Sequence, residues 1–144
     1  MLFRHDMSEF RRTLPNPDGS FRHERLVSAF TDPGWAPYLL MLGDRPAGFA
    51  IVRGLDAPLR VLNSYFVVRG ARRSGIGLRG VLDVVSRHPG KWEVAFQDDN
   101  KVAVSFWRRV AAEIAGEAWE ETRRPVPGLP QVPPDVWISF EVAA

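Results

Sequence analysis

The sequence predicts one α/β domain over residues 1–144: a mixed, mostly antiparallel sheet flanked by helices on both faces. Three features predict it. Two apolar, strand-like runs, 35–42 and 47–52, flank the turn residues Gly43-Asp44-Arg45-Pro46 and read as an antiparallel hairpin. A longer run, 59–68, is followed by a glycine-bearing loop, a helical pattern and a further strand at 91–96. Two short strand patterns close the chain around a proline-rich loop.

Each element follows from local pattern. Leu2, Phe3, Met7 and Phe10 share one face of a helix over 1–14, which Pro15-Asn16-Pro17-Asp18-Gly19 breaks. Residues 24–30 form a second short helix, ended by Thr31-Asp32-Pro33-Gly34. Leu78, Val81, Leu82 and Val85 recur at helical spacing over 76–87, and Pro89-Gly90 stops that helix. Asn100 is placed to cap the next helix, whose predicted buried face is Ala103, Phe106 and Val110. Residues 117–122 and 136–142 are the closing strands. The five prolines from Pro125 to Pro134 make the loop between them rigid. Trp35, Trp92, Trp119 and Trp137 are expected in the core or at an interface.

Composition narrows the function. Hydrophobic residues at 45% and charged residues at 25% suit a globular protein with a real core. A net charge of +2 gives no overall case for nucleic acid. Basic density peaks locally, at Arg69, Arg72, Arg73 and Arg79. Cysteine is absent, which excludes disulfides, thiolate metal sites and a cysteine nucleophile. His5, His23 and His88 lack metal-ligand spacing, so no metal is expected. No run is long enough to span a membrane and no signal peptide opens the chain, so the expected location is cytoplasmic.

The most informative stretch is Arg72-Arg73-Ser74-Gly75-Ile76-Gly77, directly behind Tyr65-Phe66-Val67-Val68. A buried strand ends, two arginines follow, and glycines open a helix. Glycine lets backbone approach a ligand closely. The free N–H groups of a first helical turn, at the positive end of the helix dipole, bind phosphate. The arginines add full charges. The site suits a phosphorylated cofactor, most simply a diphosphate.

The spacing Arg72-x-x-Gly75-x-Gly77 resembles the pyrophosphate loop of the GNAT superfamily of N-acetyltransferases. Asn100, Ala103, Phe106 and Trp107 resemble its second motif, and the stretches at 89–94 and 106–108 look like a bacterial subgroup of it. The resemblance runs from about Phe10 to Trp107. It implies acetyl transfer from acetyl-CoA to a primary amine of a small molecule or peptide. Phe66, Val67 and Val68 would then meet the pantetheine arm and thioester oxygen. Arg72, Arg73, Ser74, Gly75, Ile76 and Gly77 would hold the pyrophosphate. Asn100 would bond the cofactor's amide arm, with Phe106 and Trp107 beside it. The fold implied has the strand before the loop splayed from the strand at 91–96. Its first strand is missing here: either the chain starts upstream of Met1, which is the expectation, or this form lacks that strand. A homodimer through the late strands is compatible with it.

Three positions depart from the family pattern: Ala71 for an aromatic residue, Ser64 for an acid, and Trp107 for the tyrosine that often protonates the leaving thiolate. An indole N–H is no acid near neutral pH. No catalytic residue is assigned; Asp56, Glu24, His5 and His23 border the expected cleft and read as surface groups. Two rival readings stand. One is a non-catalytic acyl-CoA-binding module. The other is a nicotinamide-dependent oxidoreductase, because Gly75, Gly77 and Gly80 also spell G-x-G-x-x-G, with Asp98 and Asp99 about 20 residues on.

Overall fold

Six strands lie side by side in the order β1-β2-β3-β4-β6-β5. The structure is a computed structural model that describes residues 31–68, 70 and 75–144. The strands are β1 (Ala36–Leu42), β2 (Arg45–Arg53), β3 (Leu59–Val67), β4 (Gly90–Phe96), β5 (Glu120–Arg124) and β6 (Asp135–Val142). Two helices accompany them, α1 (Ile76–Ser86) between β3 and β4 and α2 (Lys101–Ala115) between β4 and β5. Every pairing is antiparallel except β3 with β4, which α1 connects. Parallel neighbours need such a crossover, whereas the β1–β2 hairpin needs only the turn at Gly43 and Asp44.

One face of the sheet carries both helices. Ala50, Val52, Leu62, Trp92, Val94, Phe96, Val136, Ile138 and Phe140 form the sheet side of the core. Val81, Val84 and Val85 of α1, with Val104, Trp107, Val110 and Ala111 of α2, fill the other side. Trp92 is completely buried, and its indole N–H donates to the His88 carbonyl at 2.8 Å, so its one polar group is satisfied. The predicted helices for the opposite face, and the question of a first strand, fall on residues 1–30, which lie outside the described residues.

The elements differ from expectation in three details. The buried face of α2 is Val104, Trp107, Val110 and Ala111; Ala103 and Phe106 lie at its flank, partly buried. That rotation follows from α2 packing over β6 and against α1 together. On α1 the buried residues are Ile76, Gly80, Val81, Val84 and Val85, with Leu78 only packed against the margin. β5 runs Glu120–Arg124 rather than 117–122, because its register with β6 ends at Arg124 opposite Asp135.

The opposite face of the sheet holds a buried charge. Glu93 of β4 is 7% exposed. Arg124 of β5 donates to its carboxylate at 3.2 and 2.5 Å, and the Ser139 hydroxyl donates at 3.1 Å. The Arg124 guanidinium also lies 4.7 Å from the centre of the Trp137 ring. These bonds, Arg124 foremost, hold the Glu93 carboxyl below the usual carboxylate range against the opposing effect of burial.

Candidate functional site

β3 and β4 are paired only from Leu59↔Lys91 to Leu62↔Val94. Beyond that rung β3 runs on to Val67 and β4 to Phe96 without further pairing to each other. The strands therefore part, and the gap opens towards the start of α1 on one side and of α2 on the other. The cause sits in β3. Its register with β2 runs Val52↔Leu62 and then Ile51↔Ser64, so Asn63 is an extra residue, a β-bulge. A bulge bends its strand and raises the local twist. Asn63 also accepts from Arg53 Nε at 3.2 Å and donates to Ser64 Oγ at 3.3 Å, which fixes it from the β2 side.

The far part of β3 stays fastened to β2. The Val68 N–H donates to the Ala47 carbonyl at 2.7 Å. Successive peptide groups of a strand point to opposite edges. Those of Phe66 and Val68 therefore face β2, and those of Tyr65 and Val67 face the gap. Phe66 and Val67 are both buried.

Arg72, Arg73 and Ser74, the charged part of the expected pyrophosphate loop, lie outside the described residues. Its glycines do not. Gly75 is the N-cap of α1 with φ +81°, a backbone that side chains other than glycine's rarely adopt. No described atom lies within 4 Å of where its Cβ would stand. Ile76 is buried against Leu40, Ala47 and Val67. A Cβ at Gly77 would come 3.3 Å from the Phe106 ring. A Cβ at Gly80 would come 2.7 Å from the Tyr65 hydroxyl. Each glycine of the G-x-G-x-x-G pattern thus has its own reason within this fold. The sheet around them has one parallel pair, not the run of parallel strands that the dinucleotide reading requires.

Across the gap, Asn100 caps α2. Its side-chain oxygen accepts from the Ala103 N–H at 3.1 Å, and the residue is buried. Phe106 and Trp107 meet edge to face with centroids 4.8 Å apart. Tyr65 stacks on Phe106 at 6.1 Å and meets Trp107 edge-on at 5.7 Å. This aromatic cluster joins β3 to α2 beside the parted strands. Trp107 itself is 7% exposed and belongs to the core. Pattern reading noticed Tyr65 but not its role. Its hydroxyl donates to the Gly77 carbonyl at 2.5 Å. Burial raises its pKa well above the usual tyrosine value, partly offset by a hydrogen bond with the Val81 backbone. It stays protonated. Glu93, which breaks the apolar run of β4, was a second available signal of a buried ion pair. Among the described residues there is no cluster of metal-ligating side chains, and no helix is long and apolar enough to cross a membrane.

No protein-family model matches the chain, and no curated protein sequence matches it. Solved structures do. It resembles aminoglycoside acetyltransferase AAC(6')-Ib crystallised with coenzyme A, at TM-score 0.68 and 16% identity, over 97% of this chain and 84% of that one. It resembles an acetyltransferase of the GNAT family from Desulfovibrio desulfuricans at TM-score 0.65 and 17% identity, over 99% and 91%. It also resembles the ribosomal-protein-S18-alanine N-acetyltransferase of Escherichia coli at TM-score 0.59 and 14% identity, over 87% and 79%. The sheet order, the parted β3 and β4, and these likenesses agree: the fold of this chain is that of the GNAT acetyltransferases.

Proposed function

We propose that the chain is an N-acetyltransferase that moves an acetyl group from acetyl-CoA to a primary amine of a small molecule or peptide. The observation that carries this reading is the parting of β3 from β4 after Leu62 and Val94, flanked by two helix starts led by Gly75 and Asn100. The helix start led by Gly75 suits a diphosphate, with Arg72, Arg73 and Ser74 supplying charge and hydrogen bonds ahead of it, and Ile76 and Gly77 continuing the turn. In the gap, the β3 segment Phe66, Val67 and Val68 meets the pantetheine arm and the thioester oxygen through the edge that carries the Val67 peptide group, since the peptide groups of Phe66 and Val68 are turned to β2. Asn100, Phe106 and Trp107 form the facing wall. Structural neighbours that bind coenzyme A or acetylate amines support the same reading.

The chemistry asks little of the side chains. An amine nitrogen attacks the thioester carbonyl, the carbon–sulfur bond breaks, and CoA leaves as the thiolate. Positioning alone lowers such a barrier greatly. Backbone N–H groups at the gap stabilise the carbonyl oxygen as it becomes negative. Glu93 is the buried carboxylate nearest the fork, but Arg124 holds it ionised and it is a weak base. The nitrogen, neutral when it attacks and cationic once bonded to the carbonyl carbon, therefore gives its proton to water, and Trp107 supplies shape, not a proton. The proposed setting is the cytoplasm, as a monomer or homodimer, without nucleic acid or membrane.

The test is release of free CoA from acetyl-CoA across a panel of amines, each with a no-amine control. Amine-dependent release supports the reading. CoA binding without turnover on any amine would favour a non-catalytic acyl-CoA-binding module, which the buried, non-acidic Trp107 allows.

A further inference from the structure

We infer that Tyr65 is a positioning residue that sets the phosphate-binding start of α1 against the splayed part of β3; this rests on the acetyl-CoA reading above. The case begins with where the hydroxyl sits. It donates to the Gly77 carbonyl, which within α1 also faces the Val81 N–H. Residues 77 and 81 are four apart, the two partners of one rung of an α-helix. The Tyr65 hydroxyl is therefore a second donor to a carbonyl in the first turn of α1, two residues after the first rung, which runs from the Arg79 N–H to the Gly75 carbonyl at 3.2 Å.

Two glycines and two rings make room for it. Any side chain at Gly80 would collide with the hydroxyl, since its Cβ would stand 2.7 Å from that oxygen. At Gly77 a Cβ would press on Phe106 at 3.3 Å. Phe106 stacks on the Tyr65 ring, and Trp107 meets the ring edge-on, so the phenol cannot swing away. The hydroxyl is thus delivered to α1 by a ring that α2 clamps. The bulge at Asn63 completes the arrangement: it keeps Leu62 and Tyr65 on the same face although they are three residues apart.

The consequence is specific. β3 no longer pairs with β4 at this level, so the usual ladder does not fix where α1 begins. The Tyr65 hydrogen bond from the splayed strand does, together with the burial of Ile76 against Leu40, Ala47 and Val67. The first-turn N–H groups, which begin at Gly75, take their direction from these contacts. Losing the hydroxyl should blur phosphate binding while leaving the pantetheine gap between β3 and β4, with its facing wall of Asn100, Phe106 and Trp107, as it was, because the Tyr65 ring and its stack remain.

The test compares Tyr65→Phe with the wild type by calorimetry, using CoA and pantetheine, which lacks the diphosphate. The variant keeps the aromatic stack and removes only the hydroxyl. CoA should bind about fivefold more weakly, the worth of one net hydrogen bond, with pantetheine changed by less than about twofold. Gly80→Ala, whose Cβ would stand 2.7 Å from the hydroxyl and 3.1 Å from Leu40, should weaken CoA binding at least as much. An unchanged CoA affinity in both variants would overturn the inference. So would an equal loss for both ligands, the mark of general loosening. A wild type that fails to bind CoA would overturn the proposed function and this inference with it.

Discussion

Replacing Gly75 separates two reasons for having glycine there. The first is backbone: φ is +81°, and an ordinary L-residue in a left-handed conformation costs roughly 1–2 kcal/mol. The second is ligand approach: no described atom lies within 4 Å of the missing Cβ, and the proposed diphosphate meets the backbone there. Gly75→Val carries both penalties. Gly75→Asn carries chiefly the second, because asparagine visits the left-handed region at low cost. Thermal unfolding should therefore put Gly75→Asn close to the wild type. Gly75→Val should melt lower by about 4 °C or somewhat more, from the usual relation between free energy and melting temperature for domains near this size. Calorimetry with CoA should show both variants impaired. Loss of one backbone hydrogen bond to a charged oxygen alone corresponds to about 1.5–3 kcal/mol, or roughly ten- to a hundredfold in affinity. Wild-type CoA affinity in Gly75→Asn would refute the argument, because the glycine would then serve the turn and not the ligand.

Stability should fall on acidification in two stages. His88 is held below its ordinary pKa of 6.5 by burial and by Arg60 and Arg87, so its contribution begins to be lost as pH drops through 6.5, where the unfolded chain takes a proton that the folded one refuses. Glu93 and Glu121 are held below 4.5 by Arg124 and Arg108, so their contribution is intact above 4.5 and lost as pH falls towards their lowered values; melting temperature against pH reads both stages. Arg124→Ala should cost about 1–3 kcal/mol by stranding the Glu93 carboxylate, and Glu93→Leu combined with Arg124→Leu should recover most of it in denaturant titrations. Trp107→Phe should keep turnover within about tenfold at saturating acetyl-CoA, since general acid catalysis typically supplies about 10²–10⁴-fold and none is assigned here; a thousandfold loss with the fold intact would contradict that. Deleting Asn63 should regularise β3, let its pairing with β4 continue, and raise the melting temperature while abolishing CoA binding.

Much of this arrangement was legible in the chain. The hairpin at Gly43 and Asp44, the capping Asn100 and the glycine-led α1 each have a local cause, so local pattern was enough to find them. What escaped was tertiary in origin. The face of α2 turned by about one position, because packing against both β6 and α1 decides it and the sequence shows only a broad apolar stripe. Asn63 looked like one polar residue in a strand; only the β2 partner reveals that it is unpaired. The three glycines suggested a dinucleotide site because one spacing can satisfy several needs. Here Gly75 answers a backbone angle, Gly77 a phenylalanine and Gly80 a tyrosine hydroxyl. The second and third of those partners lie on other elements, beyond the reach of a local motif.

One inserted residue links these observations. In a regular strand, Leu62 and Tyr65 would point to opposite faces, since side chains alternate. Asn63 restores both to the helix-bearing face, where Leu62 joins the core and Tyr65 reaches α1. The same insertion bends β3 away from β4 directly after their last shared rung. Creating the gap therefore removes the ladder that would have fixed the helix start, and in the same step supplies the tyrosine that replaces it. A strand that must part from its neighbour to admit a ligand gives up the hydrogen bonds of that ladder. The aromatic clamp of Phe106 and Trp107 keeps that open geometry from collapsing, because it packs the side of the fork that pairing no longer holds.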